Sequence, residues 1–474
     1  MRWLCNSDYR KIAESKNIHS VPNLIVMRKL ALTGLLLLKL TMTDAQSLEP
    51  LDSVYLKALV AFNDHANGIK EQTWPGMTIG PFCIFRLGGP LFLMNHPHPP
   101  PDGKQLRDNI YMLKQEDLGI MGTSQTIIKD QLTAHNNYGQ PHYISNNQFY
   151  AELFHELHHV YQRTFIDKLQ FDNPAELLTY PEEYRNDAIK QYENELLLEM
   201  LSGPAAQFRT NLNMFFSCRK LRQEIIGSKY AGYEKHVESA EGPATYCEYL
   251  YMKQFATSMA EREFIHKRFF YSLIEPTYGR EGLRNKHLLT GMIQCLILTK
   301  KLKNNWQTEY YKSGLTLNDF FFKKLDPVKV NVPALDSYEA KTKYFTVIAK
   351  EKHNQRLRDF DSQAGVKITL LFTSSPEFRG FDPMHAESLN DSLILHSTML
   401  KLGKGDNSLS LANYPVVTLV NGQVWFVKKV IFYTREDAIQ VNNNKIVFND
   451  GNSRIEWRFI KQVKQGNEYI FTAE

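Results

Sequence analysis

The hydrophobic rhythm changes several times along the chain. Leu51, Val54, Tyr55, Ala58, Leu59 and Phe62 recur at steps of three and four, which predicts an amphipathic helix over 51–68. From Trp74 to about Thr133 the text turns β-like. "PFCIFRLGGPLFLMN" sets two apolar runs around Gly88-Gly89 and reads as a hairpin. The stiff loop "NHPHPPPDG" follows, then strand-like runs near Tyr111 and over Gln125–Ile128. His96 and His98 in that loop read as turn residues, since proline-rich turns fix loops near a surface. From Asn146 to about Lys324 the spacing is almost wholly helical. Asp326 to Asp361 is a mixed connector with a polar helix. Beyond Val366, "KITLLF", "SLILHSTML", "PVVTLVNGQVWFV" and "EWRFI" read as strands, and Asn421-Gly422 between apolar runs signals a type I′ hairpin.

The expected fold is therefore α+β. An N-terminal helix and β-rich lobe occupy 46–145, a helical domain 146–325, a connector 326–365, and a sandwich-like all-β module 366–474. No repeat or low-complexity tract interrupts this order.

Composition narrows the function classes. The formal charge is +5, but residues 1–45 carry seven Lys/Arg against three Asp/Glu, leaving only +1 for the rest. That balance argues against nucleic acid as a partner. The basic N-terminus resembles export machinery instead. Met27-Arg28-Lys29 opens a charged stub, Leu30–Leu38 is a short apolar run, and Thr43 and Ala45 are small residues before a cut. The run is too short to span a bilayer, so no membrane span is expected in the mature chain. The reading is a signal peptide cleaved after Ala45 and an exported protein, with residues 1–26 as an upstream extension. A buried core helix over the same run is the alternative. Cys5, Cys83, Cys218, Cys247 and Cys295 show no C-x-x-C spacing, which removes cysteine-built zinc and redox motifs. Disulfide pairing and oligomeric state stay open.

The chemistry concentrates in "AELFHELHHVYQ", where His155, Glu156 and His159 form H-E-x-x-H. On a helix, residues i and i+4 stand about 5–6 Å apart at Cβ, so two imidazoles converge on one metal ion. A catalytic zinc site takes three protein ligands and a water. Glu156, one step round the helix, is placed to take that water's proton. The pair His155/His158 at i,i+3 is also sterically allowed, but only 155/159 leaves a Glu in the base position. The competing reading makes these residues the wet face of a helix whose apolar stripe is Leu153, Leu157 and Val160.

A second segment, Glu241-Gly242-Pro243-Ala244-Thr245-Tyr246-Cys247-Glu248, extends the pattern. H-E-x-x-H followed by E-G-x-A-x-Y-x-E resembles the gluzincin metallopeptidases, in particular the M1-like branch of the peptidase MA clan. The resemblance covers about residues 146–310. It implies a zincin-like lobe pair, Zn2+ as cofactor, Glu241 as third ligand beside His155 and His159, Glu156 as general base, and a peptide or protein substrate. "NKHLLTGMIQCLIL" is similar to the helix that carries the intermediate-stabilising Tyr in that family. Leu288 stands at the Tyr position, so His287 and Tyr278 are the substitutes. Eighty-one residues separate His159 from Glu241, which leaves room for Glu195 in "NELLLE" as a rival ligand. The family's amine-binding G-x-M-E-N is missing, so endo- versus exo-cleavage is undetermined. The rival class is a non-catalytic binding protein that keeps a peptidase-like fold, and last stands an intracellular helical protein without metal.

Overall fold

The computed structural model describes residues 50–473, apart from 99, 108, 115–119, 121, 139–142, 166, 168, 170, 172, 174, 277–279, 281, 303–304, 383–384, 391, 422 and 452. The expected signal peptide and Tyr278 lie outside the described residues, as does Gly422 of the predicted I′ turn. The long helices are labelled in chain order.

Helix α1, Pro50–Thr73, turns Tyr55, Ala58, Leu59 and Phe62 inward as the spacing demanded, while Val54 points to solvent. It packs on a six-stranded sheet. The predicted hairpin forms β1, Phe82–Phe85, and β2, Pro90–Met94, paired antiparallel across a turn in which Gly88 takes φ +68°. β3 is Lys104–Arg107, β4 Ile110–Lys114, β5 Ser124–Ile128 and β6 Gln131–Asn137. Their order is β3-β4-β2-β1-β6-β5, with β6 parallel to β1 and β5 an antiparallel edge. The β text thus runs past Thr133. "QLTAHNN" is too polar to announce a strand, yet it is buried between neighbours on both sides.

The helical middle follows. α2, Asn146–Gln162, starts where Ser145 Oγ accepts from the Gln148 N–H and Gln148 Oε1 accepts from the Ile144 N–H. These two side-chain bonds, from the N-cap and from its third helical residue, fix the entry of the helix. α3 is Tyr184–Ser202 and α4 the long run Phe208–Phe255, broken at Gly227 (φ +81°, ψ +163°). α5, Leu283–Lys301, crosses α4 at a glycine pair, where a Cβ on Gly242 would lie 2.6 Å from Gly291 Cα. α2 is buried among α1, β6 and α4. Among the described residues, no helix is long and apolar enough to cross a membrane.

The polar connector contains α6, Asp336–Asp361. Most C-terminal strands from Val366–Phe372 to Glu468–Ala473 follow one hydrogen-bonded path, with the hairpin Ile439–Asn442/Lys445–Asp450 branching from it, which corrects the sandwich expectation to a barrel-like module. Its first and last strands lie side by side in parallel, and Leu370, Phe432, Phe448, Trp457 and Phe471 fill the interior.

Candidate metal centre

α2 has no wet face. His155 and His159 are each 8% exposed and His158 is fully buried. The polar side that mirrors the Leu153/Leu157 stripe is covered by α4, so the amphipathic-surface reading fails for steric reasons. His158 serves packing. Its Nε2 lies 2.7 Å from the Tyr311 hydroxyl, its Nδ1 3.3 Å from Cys247 Sγ, and its ring stands edge-on to Trp74. Burial holds its pKa well below the usual histidine value, consistent with a neutral packed ring.

The other two histidines turn toward α4. Nε2 of His155 and Nε2 of His159 are 3.1 Å apart, and Glu241 Oε2 lies 3.3 and 3.4 Å from them. All three ligand atoms fall within one 4.8 Å cluster, the only such His/Cys/Asp/Glu group among the described residues. Their outer sides are tied down. Gln162 donates its Nε2 to the Ala240 carbonyl at 2.9 Å, so its Oε1, 2.7 Å from His159 Nδ1, accepts a ring N–H there. Glu248 Oε2 accepts from His155 Nδ1 at 3.1 Å. Both rings are thereby fixed with Nδ1 protonated and Nε2 carrying the inward lone pair. Arg284 Nη2 donates to the far oxygen of Glu241 at 2.8 Å.

Two imidazole lone pairs and a carboxylate crowded this closely repel unless a positive charge sits among them. The distances fit a metal. Tetrahedral zinc with ligand bonds of ~2.0–2.1 Å separates neighbouring ligand atoms by ~3.3–3.4 Å. Electrostatics make the same demand. Burial opposes charge on His155, yet Glu241 and Glu248 hold its pKa up at about 10, so without a metal the site takes a proton instead. Burial likewise pushes the Glu241 carboxyl up, but Arg284 and the two imidazoles hold it well below the usual range. His155, His159 and Glu241 are thus the residues that could hold a metal ion.

Glu156 stands half-buried beside this cluster and accepts from Gln125 Nε2, a side chain on the edge strand β5. Glu195 is elsewhere, bonded to Tyr338 of α6. His287 is also engaged elsewhere. Fully buried, it lies 3.2 Å from Glu234 and 3.4 Å from Glu238, inside an ionic cluster with Arg219, Arg222 and Glu193. Leu288 packs in an apolar cluster.

Sequence reasoning missed Gln125, Gln162 and Arg284. Gln162 had a signal, since it lies three residues beyond His159 and a ligating imidazole needs a partner at its second nitrogen. Gln125 and Arg284 had none, being brought in by sheet order and helix crossing. Comparisons with protein-family models, curated proteins and solved structures returned no match to this chain.

Proposed function

We propose that this chain is an exported zinc-dependent peptidase of the gluzincin type, hydrolysing peptide bonds. The supporting observation is the spacing of three fixed donors, 3.1–3.4 Å, with both histidine Nδ1 atoms anchored from outside. The residues to hold the ion are His155, His159 and Glu241, and zinc at this position supplies a Lewis acid and a water acidified toward neutrality. Glu156 is the base that takes the proton and returns it to the leaving amine. Gln125, donating to Glu156, fixes that carboxylate beside His155. Among the described residues β5 pairs with β6 alone, and its other edge would offer main-chain groups to an extended peptide lying alongside Glu156. Arg284 and Arg268 offset part of the negative charge of Glu241 and Glu248.

One observation favours the non-catalytic rival. Leu288 stands where the resemblance calls for a hydroxyl, and His287 is occupied by Glu234 and Glu238. The deciding experiment is Glu156→Gln in the purified protein against a library of quenched fluorescent peptides. The peptidase loses at least ~100-fold in kcat with zinc content unchanged, the usual scale for removing a general base. Absence of chelator-sensitive cleavage in the wild type, with zinc bound, would leave the binding-protein reading.

A further inference from the structure

One face of α5 meets α4 along its length. Arg284, His287 and Gly291 stand three and then four residues apart, so they share that face. Gly291 backs onto Gly242 at the close crossing. Thr290 Oγ1 donates to Glu238 Oε1 at 2.6 Å, and His287 Nδ1 lies 3.4 Å from the same oxygen. Two turns before Gly291, the same face carries Arg284, whose Nη2 donates to Glu241 Oε1 at 2.8 Å. The place of Arg284 is thus set by the packing of two helices.

The three proposed ligands have a feature in common: each has its second polar atom already engaged. His155 Nδ1 faces Glu248, His159 Nδ1 faces Gln162, and Glu241 Oε1 faces Arg284. For an imidazole this fixes the ring and its tautomer, since the second nitrogen lies on the far side of the ring. For a carboxylate it does more, because both oxygens can reach one ion and chelate it. Here Oε2 lies 3.3 and 3.4 Å from the two imidazole Nε2 atoms, while Oε1 is turned toward α5. To chelate, the carboxylate must rotate and give up a charge-assisted bond. The pair is mostly enclosed, with side-chain exposures of 18% and 14%, so water replaces that bond poorly. Nor does Arg284 serve metal affinity by its charge. A guanidinium beside a bound cation repels it.

A catalytic zinc site differs from a structural one in keeping a coordination position open. A chelating Glu241 would fill that position. We infer that Arg284 is a positioning residue: it restricts Glu241 to one ligating oxygen and so keeps a place on the ion for water or a substrate carbonyl. The inference rests on the peptidase reading and adds a residue to it, one that acts through Glu241 and touches neither water nor peptide.

X-ray absorption on the zinc-loaded full chain tests this directly. Wild type is compared with Arg284→Gln, too short to keep the bond, and Arg284→Lys, which keeps a donor. Zinc content and circular dichroism are recorded for each. Wild type should show the four nitrogen or oxygen neighbours of an open catalytic site, without the short zinc–carbon distance of a chelating carboxylate. Arg284→Gln should retain zinc, gain a fifth neighbour together with that short distance, and lose ~10–100-fold in kcat. Arg284→Lys should keep the wild-type spectrum. Chelation in the wild type overturns the inference, whether or not either variant folds. A wild-type spectrum in Arg284→Gln also overturns it, and any fall in its stability would then report packing alone. No zinc in the reconstituted wild type would sink the metal reading on which the inference stands. The expected spectra in a protein that cleaves nothing would retain the role of Arg284 and sink the peptidase reading instead.

Discussion

Gly242 is where the fold and the candidate site meet, and replacing it with Ala tests both. An added Cβ would lie 2.6 Å from Gly291 Cα, 2.8 Å from Gly291 C and 3.2 Å from Leu317 Cδ2. Carbon atoms pack at ~3.5–4.0 Å, so α4 and α5 must part by about 1 Å, and the obstacle is backbone that cannot rotate away. Overpacking of this kind costs ~1–3 kcal/mol, and a backbone clash belongs at the upper end. Alanine returns ~1 kcal/mol of helix propensity. The net expectation is a loss of about 2 kcal/mol. Gly232 is the control, being in the same helical run with nothing within 4 Å of an added Cβ. Gly232→Ala gains ~0.5–1 kcal/mol, opposite in sign. Glu241 is the residue before Gly242, so the same shift misplaces a metal ligand. Ligand distances tolerate about ±0.2 Å, and zinc affinity should fall at least tenfold in Gly242→Ala alone. Urea unfolding and zinc competition against a chelating dye read the two effects. If Gly242→Ala matches Gly232→Ala in stability and keeps wild-type zinc affinity, the close crossing at Gly291 does not position the site.

Three further outcomes follow from neighbouring contacts. Glu248→Gln removes the charge behind His155 while keeping an acceptor, and should weaken zinc by ~10–100-fold in the same competition assay, with an unchanged affinity counting against the anchoring role. His287→Ala should destabilise by ~2–4 kcal/mol in urea, through lost packing and two under-partnered carboxylates, and leave zinc content and kcat near wild type; a selective loss of kcat would return His287 to catalysis. Burial, with repulsion from Glu248, raises the Glu152 pKa to about 7. A carboxyl whose folded pKa exceeds its unfolded value costs stability as pH rises from the ordinary 4.5 through 7, so Glu152→Gln should stabilise by up to ~3 kcal/mol at pH 8 and by little at pH 4.5. Thermal melts at the two pH values check the sign, and equal effects at both would show that Glu152 ionises freely.

The local code was largely readable. The 3.6-residue periodicity of α1, the Gly88-Gly89 hairpin and the helical stretch after Asn146 follow from side-chain pattern alone, because each element's burial is dictated by its own spacing. H-E-x-x-H and E-G-x-A named the three clustered residues before any geometry was known, because i,i+4 spacing and a glycine needed at a helix crossing leave marks in the text. The strand β6 and the barrel-like β module were hidden, since their shape depends on which strand pairs with which over long separations. Gln125 and Arg284 were hidden for the same reason. The histidine face of α2 looked wet only because its cover, α4, does not begin until Phe208, 46 residues after α2 ends at Gln162. His287 looked catalytic from its neighbourhood in sequence, whereas it is buried between Glu238, hydrogen-bonded at Nδ1, and Glu234, 3.2 Å from Nε2.

The most direct measurement is metal content by mass spectrometry on the purified wild type beside His159→Ala and Glu241→Gln. One zinc per wild-type chain is expected, with loss or marked weakening in both variants and the folded state retained by circular dichroism. No zinc in the wild type after reconstitution would contradict it, and the three donors at 3.1–3.4 Å would then be a proton-held ionic cluster inside a helical core.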